Sequence, residues 1–185
     1  MTVVIDGTTG IDTIQDGAVA TADIANGAVT PTKQSQPMTL GTAQATTSGT
    51  SIDFTGIPSW VKRITMMFNG VSTNGISNYM VRIGDGAISS TGYISTCQYG
   101  TNNTQDTVGF VVSNGVTSTE VYTGNVVLLN MGSNVWSQNG TLGTSLVRVS
   151  SGAKTLSGTL DRIRLTTVNG TDTFDAGSVN ILYEG

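Results

Sequence analysis

The sequence predicts an all-β protein, with an antiparallel, jelly-roll-like β-sandwich over residues 37–185 behind a short repeat-containing segment over residues 1–36. Three observations carry that prediction. No window shows a sustained helical period, and β-branched residues dominate the apolar runs. Asx-Gly pairs recur at Asn69-Gly70, Asn74-Gly75, Asp85-Gly86, Asn114-Gly115, Asn139-Gly140 and Asn169-Gly170, and between β runs such pairs signal hairpins because Gly accepts positive φ. Thr, Ser, Asn and Gly number 31, 18, 13 and 24 of 185 residues, a bias that suits tight turns and wet strand faces.

The first 36 residues carry Asp6, Asp12, Asp16 and Asp23, no basic residue before Lys33 and no aromatic residue. Within them Ile14-Gln15-Asp16-Gly17-Ala18-Val19-Ala20-Thr21 repeats ten residues later as Ile24-Ala25-Asn26-Gly27-Ala28-Val29-Thr30-Pro31. One repeat has only an Ile and a Val to bury, too little to offset its ordering entropy. The segment therefore orders when copies from several chains wind together, with Ile14, Val19, Ile24 and Val29 facing the shared axis. Ser35-Gln36-Pro37 reads as the linker.

Strands are expected at 38–46, 51–54, 61–69, 78–83, 93–99, 108–113, 120–130, 145–150, 159–168 and 178–183, at the spacing of antiparallel sandwiches and barrels. In Leu160-Asp161-Arg162-Ile163-Arg164-Leu165 the alternation gives one dry and one wet face, and Val179 and Ile181 face a core.

Composition excludes several functions. Only 11 % of residues are charged and mean hydropathy is +0.06, which argues against a disordered polyelectrolyte. With 8 Lys+Arg against 12 Asp+Glu, the net charge is −4 and no basic patch for nucleic acid is visible. The absence of His removes His-dependent triads and His-ligated metals. A lone Cys97 excludes an intramolecular disulfide. No cofactor is expected. No signal peptide and no run of roughly 20 apolar residues is present, so a chain made in a cytoplasm, without membrane insertion, is expected.

A resemblance adds to this reading. The stretch Ile52-Asp53-Phe54-Thr55-Gly56-Ile57-Pro58-Ser59-Trp60-Val61-Lys62-Arg63-Ile64-Thr65-Met66-Met67-Phe68-Asn69-Gly70-Val71-Ser72 resembles a segment of bacteriophage tail-fibre and related virion proteins. The ending Phe174-Asp175-Ala176-Gly177-Ser178-Val179-Asn180-Ile181-Leu182-Tyr183-Glu184 is similar to the closing strand of those domains, and the Asx-Gly-Ala-Val repeat resembles fibre leaders where three chains meet. The resemblance implies a trimeric, all-β virion component. The residues themselves read as scaffold: Pro58 biases Ile57 to an extended approach, Trp60 covers a sandwich edge, and Ile64, Met66 and Phe68 share a core face.

The leading expectation is a homotrimeric phage tail-fibre subunit whose sandwich tip attaches to the host surface. Its N-terminal segment would bind other virion proteins. A capsid decoration protein or head fibre is the alternative, and a polysaccharide depolymerase the minor one. Two regions interleave aromatics with amides, as weak, avidity-multiplied glycan contacts require: Tyr99, Asn102, Asn103 and Gln105, and Trp136, Gln138 and Asn139. Asp172 and Asp175 are the carboxylate pair a depolymerase would need, and they equally suit a loop whose Asp side chains bond backbone amides. No catalytic or metal residue is assigned.

Overall fold

The computed structural model describes residues 20, 22, 24–30 and 33–185, and the chain divides into two compact units at Pro37/Met38. In the first unit Asn26-Gly27 forms a turn, with Gly27 at φ 78° and the Ala28 amide donating to the Ala25 carbonyl at 2.9 Å. Ile24 and Val29 flank it, 46 % and 58 % exposed, while Ile14 and Val19 lie outside the described residues.

The second unit is all-β. Its strands are β1 (Thr39–Leu40), β2 (Gln44–Ala45), β3 (Ser51–Thr55), β4 (Arg63–Thr73), β5 (Tyr79–Asp85), β6 (Ala87–Ile88), β7 (Tyr93–Tyr99), β8 (Asn102–Asp106), β9 (Phe110–Val111), β10 (Tyr122–Asn130), β11 (Val135–Gly143), β12 (Val147–Thr155), β13 (Arg162–Thr167) and β14 (Phe174–Glu184). They form two antiparallel sheets. The larger runs β1-β14-β4-β10-β11-β12-β7-β8, with β2 also on β14; the smaller runs β3-β13-β5-β6, with β9 also on β5.

The inner faces of both sheets share one core, in a sandwich-like arrangement. Ile64, Met66 and Phe68 of β4 alternate inward as their spacing predicts, beside Val179 and Ile181 of β14 and Val126 and Leu128 of β10. From the smaller sheet come Ile52 and Phe54, Ile163 and Leu165, and Tyr79, Val81 and Ile83. Edge-on aromatic pairs stitch the layers: Tyr93 meets Phe110 at 4.9 Å and Tyr79 meets Tyr122 at 5.0 Å. Trp60 rests on Tyr183 at 5.9 Å, at the sandwich edge.

Two Asx-Gly pairs are not turns. Asn69-Gly70 sits inside β4, where the register slips against both β10 and β14. Gly70, Gly124 and Gly177 all have positive φ there, and a Cβ on Gly177 would overlap the Gly70 carbonyl, so adjoining bulges bend three neighbouring strands together. Asn139-Gly140 lies mid-strand in β11. A Cβ on Gly140 would come within 2.9 Å of Val126 Cγ2 and 3.0 Å of Ser150 Oγ, so glycine serves close packing there, not a turn. The expected strand over 38–46 is two short strands on β14, and that over 108–113 shrinks to β9.

Candidate functional site

The first expected contact region is a hairpin at the edge of the larger sheet. β7 turns at Gly100, φ 59°, into β8, and Gln98 Nε2 donates to the Gly100 carbonyl at 3.1 Å. Asn102, Asn103 and Gln105 are exposed on that edge strand. Tyr99 departs from the expectation. It is paired across the sheet with Arg148, whose guanidinium carbon lies 4.2 Å from the ring centroid, and the Gly115 backbone packs close to the ring edge. Its ring serves a buried cation and is no open plate for a sugar.

The second region, expected as a loop, is part of β11, and this is a correction. Period-two alternation turns Trp136 and Gln138 into the core, 1 % and 2 % exposed, and leaves Asn139 outward. Gln138 Nε2 donates to Ser150 Oγ at 2.8 Å, inside the sandwich. A buried indole and amide cannot touch a receptor, so of this set only Asn139 reaches the surface.

Arg148 is the polar centre that the sequence reading missed. It is fully buried, and its Nη2 reaches both Glu120 carboxylate oxygens at 3.1 Å. Its Nε donates to the Asn114 carbonyl at 3.2 Å, and Nη1 to Thr144 Oγ1 and the Leu146 carbonyl at 3.0 Å each. Tyr99 and Tyr122 cover it at 4.2 and 4.9 Å. Burial alone would raise the Glu120 pKa, but bonds from Tyr122, Arg148 and Thr144 outweigh it and hold the carboxyl below its usual value. The cluster ties the 112–121 and 144–146 connections to β12; every donor aims at protein, which makes it a structural clamp. Cys97, also buried, has its thiol pushed up to about 12 by desolvation, which suppresses the reactive thiolate.

The carboxylate pair of the minor alternative is engaged in holding loops. Asp172 accepts from the Ser77 amide at 2.9 Å and from Asn169 Nδ2 at 2.6 Å, and Asp175 accepts from Ser72 Oγ. Of these, only the Ser77 contact is the bond to a backbone amide that the sequence allowed; Asn169 and Ser72 donate from their side chains. No cluster of three His, Cys, Asp or Glu able to hold a metal occurs among the described residues.

A groove of ≈ 570 Å³ lies where β1 and β2 face β3. Tyr183, Phe54 and Ile57 give it an apolar floor, with Gln44, Asp53 and Thr55 at the rim. Asp53 is held by Arg164 at 2.7 and 2.6 Å, and Gln44 Nε2 donates to the Asp53 carbonyl at 2.6 Å. Its pieces are far apart in sequence, so only the fold assembles it. Comparison with protein-family models, curated proteins and solved structures returns no match.

The titrating groups give a pH prediction. Asp161, bonded by Arg162, is held at about 2 against 3.8 unfolded, and Glu120 is also lowered from 4.5. The stability they contribute is present above those unfolded values and lost as pH falls through the folded ones. Burial raises Tyr79 from 10.0 to about 12 and Cys97 from 9.0 to about 12, so their contribution is full below pH 9 and lost as pH rises beyond it. With no histidine, urea midpoints should form a plateau from about pH 5 to 8.5 and fall on both sides. A step inside that window would contradict the assignment.

Proposed function

We propose that the chain is a bacteriophage virion structural protein, a homotrimeric tail-fibre subunit that presents its β domain for host-surface attachment. The observation that carries the reading is the Ile/Val repeat. Ile24 and Val29 remain 46 % and 58 % exposed in a single chain, and the repeat recurs at a fixed period of ten residues. Winding three copies together removes those side chains from water, at roughly 25 cal/mol per Å² of apolar surface. The same reading includes a repeat stalk over residues 1–36 that docks on other virion proteins, and a jelly-roll-like sandwich beyond it.

The receptor-contact set narrows to the exposed Asn102, Asn103 and Gln105 of the edge strand and Asn139 of β11, whose amides suit host glycan hydroxyls. Single contacts of that kind are weak, and three copies on one fibre multiply them. Gold-labelled antibody against the chain should decorate the tail fibres of intact particles. Label on the head would replace this reading with the decoration protein or head fibre, and particles without label would end the virion assignment.

A further inference from the structure

The sequence contains six Asn-Gly pairs, beginning at Asn26, Asn69, Asn74, Asn114, Asn139 and Asn169. Each is chemically labile, because the amide nitrogen of a glycine, with no Cβ beside it, can attack the preceding asparagine's side-chain carbonyl. The fold restrains five of them. Asn139-Gly140 lies mid-strand in β11, laddered to β10 on one side and β12 on the other. Asn69-Gly70 lies in β4, and the Gly70 amide donates to Thr123 Oγ1 at 3.1 Å. Asn114 is buried, and its Nδ2 donates to the Asn102 carbonyl at 3.2 Å. Asn169 Oδ1 accepts from the Thr171 amide at 3.0 Å, while the Gly170 amide donates to the Thr167 carbonyl at 3.1 Å. Asn74 Oδ1 accepts from the Thr173 amide at 2.9 Å, and Gly75 packs against the Asp172 carboxylate.

Asn26-Gly27 differs from all five. Both residues are exposed, and nothing lies within 4 Å of where a Gly27 Cβ would sit. Among the described residues, neither the Asn26 side chain nor the Gly27 amide is hydrogen-bonded. We infer that Asn26 is a site of spontaneous covalent modification, converting through a cyclic imide into aspartate and isoaspartate. The Gly27 nitrogen bonds to Asn26 Cγ and the Cγ–Nδ2 bond breaks; Nδ2 takes the Gly27 amide proton and departs as ammonia. Water then opens the ring. Cleavage of the new nitrogen–Cγ bond leaves aspartate, and cleavage of the original main-chain bond leaves isoaspartate, with no oxidant or reductant involved. Either product adds a carboxylate to a chain whose net charge is −4. The matching position of the preceding repeat is Asp16, so the aspartyl form reproduces a side chain the repeat already carries. The isoaspartyl form instead lengthens the main chain by a carbon between Ile24 and Val29, which breaks the period of the proposed shared axis. That consequence rests on the fibre reading; the reaction itself does not.

Full-length protein is warmed at mildly alkaline pH, quenched in acid and digested, and the amide-to-acid mass change is followed peptide by peptide. Light scattering on the same sample gives the oligomeric state. Asn26 should react at least about tenfold faster than Asn139 or Asn169, whose retained bonds must first open. In concentrated urea the six rates should draw together, because the same glycine follows each asparagine. Gly27→Ala should slow the change at position 26 by setting a Cβ beside the attacking nitrogen. An Asn26 no faster than Asn139 in the folded chain, or a spread of rates that persists in urea, would overturn the inference. A slow Asn26 in a trimer would overturn it and leave the fibre reading standing. A fast Asn26 in a monomer would support it and remove the trimer.

Discussion

Replacing Arg148 by alanine is expected to cost the β domain about 3–5 kcal/mol, because removing one partner of a buried charged network leaves the other groups uncompensated. The Asn114 and Leu146 carbonyls and Glu120 lose their donor, and Tyr99 and Tyr122 lose the cation between them. Urea unfolding followed by the fluorescence of buried Trp136 measures it. Arg148→Met combined with Glu120→Gln should recover part of the loss, since no charge is then left unpaired. A loss below about 1 kcal/mol for the alanine variant would mean that the cluster does not clamp the two connections.

Gly124→Ala is the second large effect, expected at about 3 kcal/mol or more. Gly124 has φ 141°, a region closed to side chains, and a Cβ there would overlap the Thr141 carbonyl oxygen across the ladder to β11. Gly86 is the matched control. Its φ is 84°, nothing lies within 4 Å of an added Cβ, and Gly86→Ala should cost only about 1 kcal/mol. Thermal melts of the two variants separate a steric block from simple backbone strain; equal shifts would refute the block.

How much of this was legible in the sequence differs from strand to strand. β7 spans the residues expected for it, and β4 shows its core face openly, because Ile64, Met66 and Phe68 alternate with a wetter set. β12 shows why alternation alone can mislead. In Val147-Arg148-Val149-Ser150 the pattern invites the valines inward and the arginine out, yet the structure does the reverse. Arg148 goes inside because Glu120, 28 residues earlier, and the ring of Tyr99 complete its shell, and no local pattern announces such distant partners. The valines are left outside, more than half exposed. β11 was missed because Asn139-Gly140 imitates a hairpin turn, and a wrong turn there turned Trp136 and Gln138 into loop residues. β8 was missed because Asn102-Asn103-Thr104-Gln105-Asp106 is entirely polar, as an edge strand open to water permits. The Tyr183 groove joins β1, β2 and β3 to the last strand and was beyond any local signal.

The mass of the full-length protein in solution tests the proposed trimer without intermediary. Multi-angle light scattering at micromolar concentration should give about three times 19.1 kDa, with no dissociation on dilution. A particle of 19.1 kDa under those conditions would contradict the account.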